Sequence, residues 1–335
     1  MTSLPGGFGF RAGIAHLLCH GCQRAAVALV LCVGSAKASA APLAPATIPA
    51  ATPAILIEVA PGDFVRAGAC AEATPANLDG IANTGFIVGQ QAVAVIDPGG
   101  SLADGQSLRA ALRAHTRLPV RFVIMTHDHP DHVFGGGAFL PDHPVFVGHW
   151  RLPAGIANRA AYDRNRLEAV LGAAATGMPV SPTLLVQAAT TLDLGGRVLV
   201  LQAHAAAHTD TDLTILDRGT ATLWAGDLLF VGRIPALDGS LSGWLTELAQ
   251  LQTLPAVRAV PGHGPASVPW PQGARDEQRY LTTLRHDVRA SIAAGQDISE
   301  TVTTAAASER GKWALFDDYN GRNVTEAYKE LQWEP

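Results

Sequence analysis

Short apolar runs separated by turn-forming residues recur along most of the chain. Each run is a few residues long and is bounded by Gly, Pro or Asp, which is typical of β-strands. The runs form two groups. The predicted strands are Ile55–Val59, Gly85–Val88, Ala92–Ile96, Arg121–Met125 and Val145–Val147 in the first group, then Thr183–Val186, Val198–Leu201, Leu213–Leu216, Thr222–Trp224 and Val257–Val260 in the second.

Apolar residues at helical spacing predict helices between and after these strands. The predicted helices are Ser107–His115, Trp244–Leu251 and a longer one, marked by Leu281, Leu284, Val288 and Ile292, that ends at Gly295. Two strand sets with interspersed helices favour an α/β fold arranged as a layered αββα sandwich, although a plain α/β sheet would give a similar pattern. We assign residues 55–295 to this domain. Residues 296–335 carry several aromatic side chains and are predicted to be a C-terminal extension that packs on it.

The N-terminal segment has the pattern of a secretory signal peptide. Basic residues precede the apolar run Ala25–Gly34, which is followed by Ala38-Ser39-Ala40. The run holds about ten residues, whereas a membrane span needs about 20, so an uncleaved anchor is the weaker interpretation. We therefore predict a signal peptide over residues 1–40, cleaved near Ala40, and a flexible Ala/Pro-rich leader over residues 41–54. The mature protein would then have no integral membrane segment.

Composition and charge narrow the class of protein. The chain is 48% hydrophobic and 16% charged, which fits a globular protein. Three of its four cysteines lie in the predicted signal, so the mature chain keeps only Cys70, which we expect to be a buried small residue. The formal net charge is −5, and loss of the signal makes it about −8. A nucleic acid is therefore not an expected partner.

The strongest chemical signal is the segment THDHPDH at residues 126–132, which directly follows a predicted strand. A loop at a strand end can point neighbouring side chains in different directions. His127 and His129 can thus converge on one ion while Asp131 and His132 reach a second. Three imidazoles and a carboxylate suit zinc.

Three later residues complete a recognisable order. They are His208, Asp227 and His263, and each lies at the C-terminal end of a predicted strand. The order HxHxDH, His, Asp, His resembles the metallo-β-lactamase superfamily over roughly residues 55–295. The resemblance implies a four-layer αββα sandwich, and it assigns ligands position by position: His127, His129 and His208 to a first metal, Asp131, His132 and His263 to a second, Asp227 as the bridge, and Asp97 as a nearby acidic group.

The expected cofactors are two zinc ions, with iron as the alternative. Two adjacent divalent ions lower the pKa of a shared water to about 7, so a hydroxide is available as the nucleophile. Asp131 is the candidate catalytic residue, because it can orient this hydroxide and pass its proton on. The chain contains no GxSxG elbow and no catalytic-cysteine signature.

The fold does not fix the substrate, but single positions narrow the choice. His129 stands where flavodiiron proteins have Glu, which disfavours a di-iron redox site. Asp227 stands where most true lactamases have Cys or Ser, so the site resembles that of glyoxalase II. The basic C-terminal residues with which glyoxalase II holds glutathione are not evident here.

Whole segments look like the quinoprotein relay system zinc metallohydrolases of the second, SoxH-like group. The segments are Asn77–Gly85, Ala207–Leu213, Gly226–Phe230, Leu237–Leu241 and Arg322–Thr325. This resemblance implies a periplasmic protein that works beside a quinoprotein dehydrogenase or cytochrome, and it names no substrate. The metal-bound hydroxide predicts hydrolysis of an ester, thioester, lactone or amide-type bond in a small molecule. The alternatives are a mononuclear iron persulfide dioxygenase and a non-enzymatic module that binds a quinoprotein partner.

Several residues near these motifs have two interpretations. Arg233 could pair with an anionic substrate at the rim of the site, together with Asp238. The other interpretation of this region is a helix capped near Ser240 with Trp244 in the core. His204 is expected to be a hydrogen-bonded structural group and not a ligand.

Overall fold

Two mixed β-sheets form the centre of the fold. The structure is a computed structural model that describes residues 54–334. The first sheet places its strands side by side in chain order: β1 (Ile57–Ala60), β2 (Asp63–Arg66), β3 (Thr84–Val88), β4 (Val93–Ile96), β5 (Val120–Ile124), β6 (Val145–His149) and β7 (Leu184–Val186). The second sheet contains β8 (Ala189–Asp193), β9 (Val198–Ala203), β10 (Leu213–Asp217), β11 (Thr222–Phe230), β12 (Arg258–His263) and β13 (Val268–Pro269), in the spatial order β13-β12-β11-β10-β9-β8.

Helices cover the outer face of each sheet. They are α1 (Leu102–His115), α2 (Pro130–Val133), α3 (Leu152–Leu171), α4 (Ala173–Thr176), α5 (Leu241–Leu251), α6 (Arg275–Ala293), α7 (Ile298–Thr304) and α8 (Phe316–Leu331). Among the described residues, none of these helices combines the length and the apolar composition that a bilayer crossing requires. The predictions for residues 1–53 lie outside the described part of the chain.

Three apolar clusters separate four layers. The central cluster joins the inner faces of the two sheets, for example Ile124 of β5 and Ile215 of β10. A second cluster packs the other face of the first sheet on α1 and α3, and a third packs the second sheet on α5, α6 and α8. Successive residues of a strand point to opposite faces, so a strand between two apolar layers is apolar throughout, as β4 is. The predicted αββα sandwich is confirmed.

Some elements were not predicted from the sequence. Strand β2 is only four residues long and has a charged residue at each end, yet all four residues are buried. Its Asp63 contacts Arg197 at 3.0 Å, and its Arg66 contacts Asp104 at 2.5 Å. The ion pairs compensate the buried charges at the two ends of β2. The strand can therefore be buried without being an uninterrupted apolar run. The aromatic residues Trp313 and Phe316 of the C-terminal segment lie in the same apolar cluster as α5 and α6.

Candidate metal centre

All seven predicted ligands come together where strands of the two sheets end. Four of them lie in the segment that follows β5 and enters α2, one follows β9, one is in β11 and one ends β12. Glycines allow this close approach. Gly226 has φ +53°, and a Cβ on Gly262 would lie 1.8 Å from Oδ1 of Asp227. A side chain at 262 would displace the Asp227 carboxylate, and one at 226 would adopt a strained backbone conformation and press on Thr126 at 2.8 Å.

Four of the residues form one group of converging ligand atoms: His127, His129, His208 and Asp227. The Nε2 atom of His208 lies 3.3 Å from Nε2 of His127 and 2.9 Å from Nδ1 of His129. It also lies 3.4 Å from Oδ2 of Asp227. Three imidazole nitrogens and one carboxylate oxygen therefore face a common point.

A second group, adjacent to the first, contains Asp131, His132 and His263. The Nε2 atom of His263 lies 3.3 Å from Oδ2 of Asp131 and 3.3 Å from Oδ2 of Asp227. The other oxygen of Asp227, Oδ1, lies 3.1 Å from Nε2 of His132. Asp227 consequently stands between the two groups, in the position that a bridging ligand would occupy.

The remaining ring nitrogen of each histidine is held by a neighbouring group. The contacts are His127 Nδ1 to Thr126 Oγ1 (3.0 Å), His129 Nε2 to Asp238 Oδ2 (2.8 Å), His132 Nδ1 to Asp97 Oδ2 (2.8 Å), His208 Nδ1 to the Ala236 carbonyl (2.6 Å) and His263 Nδ1 to the Ile81 carbonyl (3.0 Å). An imidazole that donates from one nitrogen presents a lone pair on the other. The five outer contacts thus orient five lone pairs toward the centre, as is usual around protein metals.

Charge and burial show that these residues fit divalent metal ions. Nε2 of His132 and Oδ1 of Asp227 are buried and have no hydrogen-bond partner. Burial, followed by the nearby His129, lowers the pKa of His208 to about 3, so its ring stays neutral. Burial alone would raise the pKa of Asp227, but His263 and His132 hold it well below its usual range. Neutral imidazoles and ionised carboxylates are the protonation states that bind a metal such as zinc.

In the second ligand group, the pKa values of the two histidines are shifted the opposite way. Burial opposes the charge on His132, yet the carboxylates, Asp227 first, raise its pKa well above the usual range. His263 is affected in the same way by Asp227 and Asp131. The carboxylates thus attract positive charge to this group. Bound cations would supply that charge instead.

The structure decides between the interpretations of several residues outside the two ligand groups. His204 bonds Glu247 and Thr214, both at 2.8 Å, so neither ring nitrogen is free for a metal. Ser240 caps α5 by accepting a hydrogen bond from the backbone of Gly243, and Trp244 is fully buried. The expectation that Cys70 is buried was wrong. It is exposed, because its segment runs along the surface between β2 and β3.

The metal centre opens into a cavity of about 380 Å³. Arg233 lines it but is only 5% exposed, and it bonds Glu72 at 3.3 Å and the Tyr319 hydroxyl at 3.1 Å. Asp79 and Arg322 also line the cavity; they lie in segments that carry the SoxH-like resemblance, but nothing in the sequence was a reason to place them at the site. The wall residues of α3 carry no motif, and their only signal is the spacing of polar residues at 159, 162, 163 and 166.

Comparison with known proteins agrees with the geometry. Residues 78–263, more than half of the chain, match the sequence model of the Metallo-beta-lactamase superfamily. The chain therefore belongs to this superfamily. Its similarity to a named curated protein is short: 36% identity over 84 residues with the 2,4-dinitroanisole O-demethylase subunit alpha of Nocardioides sp. (strain JS1661). That match covers 25% of this chain and 26% of the demethylase subunit.

Two solved structures illustrate the shared fold. A metallo-beta-lactamase from Pontibacter korlensis matches with a TM-score of 0.56 at 17% identity, covering 68% of this chain and 98% of that one. A stereoselective inverting sec-alkylsulfatase from Pseudomonas sp. matches with a TM-score of 0.60 at 15% identity, covering 84% of this chain and 51% of that one. At these identities the likeness shows the fold alone.

Proposed function

We propose that this protein is a dizinc hydrolase with a glyoxalase II-like metal centre. The observation that carries the proposal is the convergence of seven side chains into two adjacent ligand groups that share Asp227. His127, His129 and His208 would hold one ion. Asp131, His132 and His263 would hold the other.

Two bound zinc ions would supply a water acidic enough to ionise near neutral pH and would polarise the substrate oxygen. The chain positions the reacting groups. Asp131 is the proposed catalytic residue, since it lines the cavity and lies 3.3 Å from Nε2 of His263. Burial opposes its ionisation, but His132 and His263 keep its pKa below the usual range, so it is a carboxylate that accepts hydrogen bonds. It would orient the water and accept its proton transiently.

The proposed substrates are small molecules with an ester, thioester, lactone or amide-type bond. A purely structural zinc site is normally closed by four protein ligands, whereas both groups here border an open cavity. This arrangement supports catalysis over a non-enzymatic role. The short match to the demethylase subunit adds 2,4-dinitroanisole as a probe for an activated aryl methyl ether.

Metal analysis followed by a hydrolysis screen tests this proposal. Protein purified without added metal should contain about two zinc per chain, and one iron with no zinc would contradict the dizinc assignment. The zinc-loaded protein is then assayed on thioesters, esters, lactones, β-lactams and 2,4-dinitroanisole. Asp131→Ala should abolish any hydrolysis found. Asp128→Asn, in the same loop but outside both ligand groups, is the control that should retain both metals.

We further propose that the protein acts in the periplasm beside a quinoprotein dehydrogenase. Two features of the sequence support this: the signal-like segment before Ala41 and the SoxH-like segments. Affinity capture from a periplasmic extract, followed by assay of the captured material for bound quinone cofactor, tests the association. Recovery of the protein without any quinoprotein or cytochrome would contradict it.

A further inference from the structure

The cavity above the metal centre has an unusual concentration of arginine. Four arginines from three parts of the fold line it: Arg159 and Arg166 on α3, Arg233 after β11 and Arg322 on α8. No lysine lines it. Six acidic side chains line the cavity as well, so an arginine can bind an incoming anion only where its charge is not already paired.

The four arginines differ in how far ion pairs and hydrogen bonds within the protein already compensate their charge. Arg233 is buried against Glu72 and Tyr319. Arg159 is paired with Asp163 at 2.8 Å and with Asp128 at 3.5 Å.

Arg322 is paired with Asp238, but its side chain is still 55% exposed. Arg166 is exposed and has no hydrogen bond or ion pair with any residue in the described part of the chain. Arg166 and Arg322 are therefore the two guanidinium groups best placed to bind an incoming anion.

The positive charge of Arg166 acts on Asp79, which lines the same cavity. Burial and the charge of Asp131 raise the pKa of Asp79, and Arg166 opposes this rise. Arg166 also follows Arg159 and Tyr162 on one helical face, at spacings of seven and four residues. Tyr162 is 72% exposed and lines the same cavity, so it offers an apolar ring beside the free guanidinium.

We propose that this cavity selects organic acids, with Arg166 and Arg322 holding a substrate carboxylate at the mouth and Tyr162 covering its apolar body. The inference rests on the proposed function only in placing the reacting bond of the substrate at the metal ligands. A planar guanidinium matches a carboxylate with two parallel hydrogen bonds, which favours arginine for this role. Arg233, which the sequence suggested for the same task, is held by Glu72 and supports the wall instead.

Binding of non-hydrolysable acids tests this inference without any turnover. The zinc-loaded protein is titrated calorimetrically with linear dicarboxylates from succinate to suberate, each compared with the monocarboxylate of equal carbon number. The metals can take one carboxylate of either acid, so the difference reports the second. At the best chain length the dicarboxylate should bind about tenfold or more tightly than its monocarboxylate, because a hydrogen bond between charged groups contributes a free energy of that size.

Variants assign that difference to the arginines. Arg166→Ala should bring the dicarboxylate to within about threefold of its monocarboxylate, because the charged contact is lost. Arg164→Ala is the matched control on the same helix, since Arg164 pairs with Glu168 and lies outside the cavity. It should leave both affinities unchanged. Arg322→Ala should weaken the dicarboxylate in the same way, with metal content measured alongside because Asp238 also contacts His129.

The outcomes separate the two proposals. Equal binding of both acids by the wild-type protein, or equal effects of Arg166→Ala and Arg164→Ala, would show the inference to be wrong and leave the hydrolysis screen untouched. Selective dicarboxylate binding that depends on Arg166, together with no hydrolysis of any substrate, would support the inference and refute the proposed activity alone.

Discussion

Asp79 is expected to destabilise the fold at neutral and alkaline pH. Its side chain is only 2% exposed, and its Oδ2 atom is buried without a hydrogen-bond partner. Burial, followed by the charge of Asp131, raises its pKa from 3.8 to about 9. Asp79→Asn keeps the shape but cannot ionise. Asp79 has φ +62°, and Asn adopts this left-handed conformation readily, so the exchange adds no backbone strain.

The sign of the effect follows from proton binding. Between pH 3.8 and about 9 the carboxyl is protonated in the folded state and ionised in the unfolded state. The unfolded state therefore binds fewer protons, and stability falls as pH rises through this window. At about 1.36 kcal/mol per pKa unit, the upper limit of the loss between pH 5 and pH 8 is about 4 kcal/mol. The interior of a protein in water screens a buried charge more than dry protein does, which reduces the effect. We therefore expect the loss of stability between pH 5 and pH 8 to be about 2 kcal/mol.

Urea unfolding of the metal-free protein at pH 5 and pH 8 measures this difference. Asp79→Asn should be more stable than the wild type at pH 8, and the gain should shrink at pH 5. Asp318→Asn changes an exposed carboxylate at the start of α8 and should alter stability by less than about 0.5 kcal/mol at both pH values. A lower stability of Asp79→Asn at pH 8 would refute the reasoning, because it would mean that the native carboxylate is ionised and stabilised by a partner.

Further predictions concern the metals, the core and the acid response. His263→Ala should leave one tightly bound metal and Asp227→Ala should weaken both, since only Asp227 borders both ligand groups. Metal titration with spectroscopic detection distinguishes these results, and two tightly bound metals in Asp227→Ala would exclude the bridge. Trp244→Ala should lower the free energy of unfolding by about 3 to 5 kcal/mol in denaturant titrations, because a fully buried ring leaves a cavity. Burial, followed by Arg151, lowers the pKa of His149 from 6.5 to about 4. Between these pH values only the unfolded state binds the proton, so the contribution of His149 to stability is complete above pH 6.5 and is lost as pH falls toward 4. His149→Gln should lack this part of the acid sensitivity. If the proposed signal peptide is cleaved, N-terminal sequencing of protein recovered from the periplasm should give a start near Ala41.

Local signals made the sheets and the ligands predictable. Strand β4 is an uninterrupted apolar run, and β5 is apolar apart from the exposed Arg121, because each strand lies between two apolar layers. Three of the five ligand histidines lie in one short motif beside a strand end, and strand ends are where side chains from separate segments can meet. Both signals are readable without knowing which residues are neighbours in space.

The cavity wall was not predictable, because it depends on distant partners. Helix α3 mixes apolar and polar residues without a clear motif, and only five of its twenty residues are buried. Its place in the cavity wall depends on the tertiary fold, which brings Arg166 and Tyr162 to the same cavity as Arg322 of α8. The burial of Asp79 likewise depends on groups far along the chain. A sequence pattern records the polarity of these residues, whereas their function depends on which residues face them.

The ligands extend from His127 to His263, and both sheets contribute them. No shorter fragment of the chain carries a complete set, so high-affinity metal uptake has to wait until both sheets have been made and folded together. If the chain is exported before it folds, as proposed, it leaves the compartment of synthesis without its metals. The metal supply of the compartment where folding is completed then decides which ions it acquires.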